Sequence, residues 1–300
     1  MTTPDVPRTV AAEELGGFVP IDGPTEDLVR HLSARQAEPD WMLRQRLRAR
    51  ERLRSEGIPS WASFLRDVDL EGIVRVEEGP IPASSDAPDA ALMAGSAALE
   101  ASEEAYRQLR QDLMSRGVHF CGLRAALARM PDLVRTHFAS VIASDDGPLS
   151  ALIASLWTGG SFLYVPPHVT VDVPLQAEIR EDYAGVEPFE RNVIVADHGA
   201  DVTYIEGCTA PVYTPDQLHI SAIEVVAMPG SRVRYIALQN FSKEVDNLVT
   251  KRARVHEGAT VEWVDVNLGS RRAWKIPRAD LVGPDAAAEF VGVTLSGRGQ

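Results

Sequence analysis

The second half of the chain is built on a short alternation of apolar and polar positions that keeps returning. Gly199-Ala200-Asp201-Val202-Thr203-Tyr204-Ile205 recurs as Gly230-Ser231-Arg232-Val233-Arg234-Tyr235-Ile236 and again as Gly258-Ala259-Thr260-Val261-Glu262-Trp263-Val264. A fainter copy is Asp285-Ala286-Ala287-Ala288-Glu289-Phe290-Val291. The glycine-to-glycine offsets are 31 and 28 residues, and a fixed period of this size signals a solenoid. Each copy joins two β-rich runs across a Gly turn. The pairs are Val193–Ala196 with Val202–Ile205, Ile220–Ala227 with Val233–Gln239, and Thr250–Val255 with Val261–Val266. No long helical pattern separates them, which argues against a doubly wound sheet. Stacked coils of a parallel β-helix fit, each strand bonded to its equivalent about 4.8 Å away in the next coil. Tyr204, Tyr235, Trp263 and Phe290 then form an aromatic ladder, and Val202, Val233, Val261 and Ala288 an aliphatic one. The same register sets Gln239 directly above Cys208, with Asn267 one coil further.

The first half reads differently. Residues 1–24 are expected to be loose. From Thr25 to about Ser55 the apolar spacing turns helical, with Leu43, Leu47 and Leu53 as a stripe among arginines, and Gly57-Ile58-Pro59 stops it. The arginine run reads as a solvated helix face, because charge runs usually are. Residues 76–90 read as a linker. Helices are expected over about Ala91–Ser115, stopped by Gly117, and over about Leu123–Ala143, broken where Pro131 falls. Asp145-Asp146-Gly147-Pro148 closes the helical region. The domain division is therefore a helical region over 25–145 and a parallel β-helix over 146–300, truncated at its C-terminal end.

With 300 residues the chain can bury a sizeable core. A net charge of −13 disfavours nonspecific binding to nucleic acid or anionic membrane. There is no apolar run of spanning length and no apolar N-terminal signal core. The two cysteines, Cys121 and Cys208, lie far apart in sequence without metal-ligand spacing, which suits a reducing cytoplasm better than a disulfide scaffold.

Walker, GxGxxG, GxSxG and HExxH signatures are absent. His198 and His219 lie near the repeat turns, but a lone His is more often a satisfied polar residue than a ligand. Cys121, in Val118-His119-Phe120-Cys121-Gly122-Leu123, reads as a buried small hydrophobe. Cys208 follows the end of a strand, between Gly207 and Thr209-Ala210-Pro211, where the chain must turn. Ladder logic stacks Gln239 on it, and Lys251 is a candidate cation to lower its pKa from about 8.5. An inert core cysteine and a reactive thiol both remain open on these features.

Longer motifs narrow the choice. Ser155-Leu156-Trp157-Thr158-Gly159-Gly160-Ser161-Phe162-Leu163-Tyr164-Val165-Pro166, Phe189-Glu190-Arg191, Tyr204 to Pro211, Gln239-Asn240-Phe241 and Asn247-Leu248-Val249-Thr250-Lys251-Arg252 closely resemble the SufB family, scaffold of the Suf iron–sulfur cluster assembly machine. The resemblance covers about residues 40–300 and is weaker at 66–105. It implies a mainly β protein, a right-handed parallel β-helix with an α-helical N-terminal domain. It implies a scaffold rather than an enzyme in the strict sense. The implied partners are the ATPase SufC, a SufD-like or second SufB-like subunit, and a cysteine desulfurase with its shuttle protein. A nascent Fe–S cluster is implied as cargo, and reduced flavin in the full complex. Cys208 matches the family cysteine that receives persulfide sulfur, and Arg180, Gln239 and Lys251 match residues that line its path.

There are departures. Asp182 stands where an Asn is expected and Phe241 where a Trp is. The N-terminal cysteine motif of some members is missing. The chain stops at Gly297-Arg298-Gly299-Gln300, ahead of the coils, cluster ligands and SufC-docking helices that the resemblance implies. An incomplete SufB and a short paralogue are both compatible with this. The apolar last coil is expected to favour self-association of the chain as it stands. The alternatives are a catalytically silent interaction scaffold and, ranked lower, a carbohydrate-active β-helix enzyme, for which Asp201, Glu224 and Asp265 do not fall in one register.

Overall fold

The computed structural model describes residues 17–68, 92–94, 111–180, 189–210 and 217–297. In chain order its helices are α1 (Glu26–Arg35), α2 (Asp40–Glu56), α3 (Leu123–Arg129), α4 (Pro131–His137) and α5 (Pro148–Leu156). Its strands are β1 (Phe18–Val19), β2 (Ile58–Pro59), β3 (Leu92–Ala94), β4 (His119–Gly122), β5 (Ser161–Val165), β6 (Leu175–Arg180) and β7 (Phe189–Ala196). They continue as β8 (Asp201–Ala210), β9 (Gln217–Ala227), β10 (Arg232–Phe241), β11 (Val245–Val255), β12 (Thr260–Gly269), β13 (Arg272–Leu281) and β14 (Ala287–Leu295). The chain forms two compact units. One holds residues 17–68 with 142–157, and the other holds 92–94, 111–141 and the residues from 158 on.

The larger unit is the parallel β-helix that the repeat predicts. One sheet runs β14-β12-β10-β8-β6-β3 and the other β13-β11-β9-β7-β5-β4. Strands β5 to β14 pair parallel with their equivalents, while β3 and β4 pair antiparallel with β6 and β5. The register matches the repeat residue for residue: Tyr204 pairs with Tyr235, Tyr235 with Trp263 and Trp263 with Phe290. The ring centroids of Tyr204–Tyr235 and Tyr235–Trp263 lie 5.2 and 5.0 Å apart, the range in which aromatic pairs attract beyond simple burial.

The repeated glycine has a conformational reason. Gly199, Gly230 and Gly258 sit at φ of 62°, 70° and 63°, a left-handed turn that disfavours other residues. Each also donates its N–H to the corner of the next coil: Gly199 to the Pro229 carbonyl, Gly230 to Glu257 and Gly258 to Pro284, at 2.8–2.9 Å. Asp285, in the fainter copy, takes the same left-handed turn at φ 55°. The last coil is less covered: Ile276, Leu281, Phe290, Val291, Val293 and Leu295 are all exposed.

Local details depart from expectation. The helix expected over 123–143 is broken at Pro131 as the sequence suggests, with Pro131 opening α4 in its first turn, but α4 ends at His137, short of Ala143. Residues 92–94 are a strand, not the start of a helix. The remainder of that expected helix up to residue 110, and the linker at 76–90, lie outside the described residues. The helix α5 was not anticipated; its residues are all buried and apolar or small, so no amphipathic period marks it.

In the smaller unit Thr25 caps α1 by accepting from the Leu28 amide at 3.3 Å. Pro39 interrupts the helical run, so that α1 and α2 are separate. The buried face of α2 is Met42, Arg46, Ala49 and Leu53, instead of the Leu43-Leu47-Leu53 stripe. The Arg46 guanidinium grips both carboxylate oxygens of Glu38 at 2.6 and 2.8 Å. It also donates to the carbonyls of Ser155 and Trp157 at 3.0 and 2.8 Å and lies 4.5 Å over the Trp157 ring. The arginine run is therefore not uniformly solvated. One of its members organises the contact between α2 and α5, where planar bidentate donation suits Arg and not Lys.

Arg46→Ala is expected to destabilise this unit by about 3–5 kcal/mol, because it strands a buried carboxylate and two carbonyls. Urea unfolding followed by tryptophan fluorescence reads this; a loss below about 1 kcal/mol would show that the pair contributes little.

Candidate functional site: the polar interior around Cys208

Strand alternation decides what faces the inside of the β-helix. Val202, Tyr204, Glu206 and Cys208 of β8 are buried while the residues between them are not. Strand β10 turns in Val233, Tyr235, Ala237, Gln239 and Phe241, and β12 turns in Val261, Trp263 and Asp265. Away from the Gly corner each coil therefore passes from aliphatic to aromatic to polar. The aliphatic and aromatic positions join one continuous core with Ile194, Val225 and Val249 of the facing sheet. The polar positions meet Glu190, Asn192, His219, Asn247, Lys251 and Lys275 from that sheet.

These groups are densely bonded. Glu206 accepts from Asn192 Nδ2 at 2.8 Å and from the Tyr235 hydroxyl. Asn192 Oδ1 accepts from the Ser161 amide at 2.7 Å and from its hydroxyl at 3.0 Å, and that hydroxyl lies 2.8 Å from the Tyr204 oxygen. Lys251 Nζ pairs with Asp265 and sits 4.7 Å over the Tyr235 ring and 5.8 Å from that of Trp263. Ala237 lies between Glu206 and Asp265 in register. Gln239 Oε1 accepts from Asn247 Nδ2 at 2.8 Å and from Lys275 Nζ, and Asn247 Oδ1 meets His219 Nδ1 at 2.8 Å. Glu190 lies 3.6 Å from His219 Nε2.

Burial shapes the titration of this interior. It pushes the Glu206 carboxyl up, aided by Glu190 and opposed by Lys251 and the Tyr235 hydrogen bond. Burial and then the Glu206 charge raise Tyr204 and Tyr235 well above the ordinary phenol range, so Tyr235 remains the donor to Glu206. Burial and the nearby Lys251 lower Lys275 to about 8, against the pull of Asp265, Cys208 and Glu206.

The sequence-derived site residues fall as follows. Gln239 is the register neighbour of Cys208, and Asn267 follows Gln239 one coil on. Cys208 lies within β8 rather than beyond its end, is 1% exposed, and packs on Phe241 and Val245. Cys121 is half-buried on β4 opposite Phe162, and neither cysteine is in a disulfide. Lys251 is interior, but it is ion-paired with Asp265. The backbone of Arg180 pairs with Thr209, one residue past the Ile179–Cys208 pair; its side chain, and Asp182, lie outside the described residues. His198 is exposed beside Asp197, whereas His219 is buried in the interior, its ring centroid 5.2 Å from that of Phe241 with the planes tilted by 59°. No group of three or more metal-binding side chains occurs among the described residues, and no helix among them is long and apolar enough to cross a membrane.

Glu190, Glu206, Asn247 and Lys275 were missed. For Glu206 and Lys275 the legible signal was a charged residue in register with an inward position, whereas Glu190 and Asn247 lie in stretches buried on both faces, where no alternation marks them. Glu206 stands two residues past Tyr204, and Lys275 pairs in register with inward Val249.

Residues 93–177 match the family described as the SufBD protein N-terminal region, and residues 179–300 match the SUF system FeS cluster assembly, SufBD core domain. An iron–sulfur cluster assembly SufBD family protein of Staphylococcus haemolyticus is 36% identical over 306 residues, covering 96% of this chain and 66% of the relative. One from Staphylococcus saprophyticus is 35% identical with the same coverage. One from Staphylococcus aureus MRSA252 is 36% identical over 296 residues, covering 93% of this chain and 64% of the relative. The chain thus spans slightly less than two thirds of the length of these relatives.

The raised Glu206 pKa has a stability consequence. Below the ordinary carboxyl value of 4.5 Glu206 is protonated in both folded and unfolded chains. Above it the unfolded chain ionises first, so this group's stabilisation is lost as pH rises towards the folded pKa. Wild type is therefore expected to lose stability relative to Glu206→Gln from about pH 4 upward, at up to about 1.4 kcal/mol per pH unit within that window. Paired denaturation curves between pH 4 and 8 test this; a constant difference would contradict the raised value.

Proposed function

The chain belongs to the SufBD family of iron–sulfur cluster assembly proteins, and from that premise we propose that it is a SufB-like scaffold whose Cys208 accepts sulfane sulfur. The observation that carries this reading is the setting of Cys208. It shares a buried interior column with Gln239 and lies within electrostatic reach of Lys275. A thiol in aliphatic surroundings would be inert, whereas cations and amides favour an anionic sulfur.

In the proposed step the Cys208 thiolate attacks the outer sulfur of a donor persulfide. A new S–S bond forms at Cys208, the donor S–S bond breaks, and the donor cysteine leaves as a thiolate that takes up the proton Cys208 gave up. No electrons are gained or lost overall. Gln239, Lys251 and Arg180 are assigned to the sulfur path. The donor would be a cysteine desulfurase with its shuttle. A SufC-type ATPase and a SufD-like or second SufB-like subunit would complete the complex, with the nascent cluster as cargo. Cys208 is 1% exposed and clusters with Phe241 and Val245, so no step is assigned to flavin. The helical N-terminal region and the β-helix are taken as separate domains, and the cytoplasm as the compartment.

The burial of Cys208 favours a second reading, an interaction scaffold without sulfur chemistry. One experiment separates them. The protein is incubated with desulfurase, shuttle and cysteine, and sulfane sulfur is mapped by mass spectrometry. Label is expected on Cys208 and not Cys121, and Cys208→Ser should abolish it. Lys251→Arg should keep most of the rate, and Lys251→Met should slow it about tenfold if that charge favours the thiolate. Absence of label on Cys208 would select the silent scaffold.

A further inference from the structure

A hydrogen-bonded chain runs through the interior, and one cation fixes its direction. Lys275 Nζ donates to Gln239 Oε1. An ammonium has donors and no acceptor, so the Gln239 atom facing it is the carbonyl oxygen. Asn247, 2.8 Å from the same oxygen, must present its NH2. Its own oxygen then faces His219, whose Nδ1 must carry the proton across 2.8 Å. Each orientation follows from the one before it. With its oxygen held by two donors, Gln239 keeps only its NH2 for the neighbouring coils. On one side lies Asn267, whose Oδ1 is buried without a hydrogen-bond partner among the described residues. Gln239 is therefore not committed to that side. On the other side lies Cys208.

We propose that Lys275 is the positioning residue for sulfur held on Cys208: it turns the Gln239 amide NH2 towards that sulfur and supplies the positive charge that favours its anionic form. This rests on the reading of Cys208 as the sulfur acceptor. Lys251 is less suited to the role, since its ammonium is paired with Asp265 and lies over two aromatic rings, whereas Lys275 contacts a neutral amide. Lys251 on β11 repels the Lys275 charge, while Asp265 on β12 and Glu206 and Cys208 on β8 attract it. With a midpoint lowered to about 8, Lys275 loses its proton as pH rises through the range in which an ordinary thiol ionises, near 8.5. Sulfur acceptance should then pass through a maximum instead of rising steadily with pH.

Two readouts on the full chain separate this proposal from the reading beneath it. The first is the titration of Cys208 by the NMR shift of its 13Cβ in protein labelled with [13C]cysteine, with Cys121→Ala leaving one signal. Lys275→Met is expected to raise the Cys208 midpoint by about one pH unit or more. Lys275→Arg should leave it within a few tenths, and this conservative variant also guards against a folding defect. An unchanged midpoint in Lys275→Met overturns the proposal. The second readout is the rate of sulfur transfer from glutathione persulfide to Cys208 between pH 6.5 and 9.5. Wild type should show a maximum, and Lys275→Met should be about tenfold slower at pH 7.5 and rise monotonically; an unaltered rate and profile in that variant overturns the proposal. If Lys275→Met moves the Cys208 midpoint while wild-type Cys208 takes no sulfur at any pH, the coupling stands and the acceptor reading fails.

Discussion

Parallel hydrogen bonding between equivalent strands is the constraint on which this protein rests. Each strand of a coil finds its partners only in the coils beside it, and the pairing is in register from the Gly corner onward. Like residues therefore stack on like. A slip of one residue would turn Tyr204, Glu206 and Cys208 to the outside and their polar neighbours in. The left-handed glycine corners prevent it, because they fix where each strand begins and tie one corner to the next through an N–H···O bond.

The same stacking lets one solenoid hold two interiors. Near the corners, valines and aromatics make a continuous apolar core of the usual kind. Two positions further along, the inward residues are Glu206 on β8 and Asp265 on β12, with Ala237 between them and Gln239 two positions beyond it on β10. Burying Glu206, Asp265 and Lys251 is costly unless each is paired and hydrogen-bonded, and here they are, by Tyr235, Asn192 and each other. A solenoid meant only to be stable could fill these positions with aliphatic side chains. The polar column is thus the part of the β-helix least explained by folding stability alone, and buried, perturbed ionisable groups of this kind concentrate at functional sites. Its groups restrain one another: Tyr235 serves the aromatic ladder and also the Glu206 carboxyl, and Lys251 compensates Asp265 while covering two rings.

The sequence determined the β-helix, its register, the aromatic ladder and the placing of Gln239 on Cys208, because a solenoid repeats locally and equivalent positions can be aligned by their glycines. It did not determine which polar groups meet inside. Glu206 and Lys275 are 69 residues apart and belong to different sheets, and only closure of the coil brings their charges within reach of each other. The burial of Cys208 was likewise decided by tertiary structure. Its local setting of Gly207 and Thr209-Ala210-Pro211 looks like a turn, yet cross-strand pairing carries β8 past Cys208 to Ala210. Arg46 shows the same limit in the helical unit. Periodicity marked a helix but assigned its buried face to leucines, because nothing local reveals that Glu38 and the carbonyls ending α5 wait for a guanidinium.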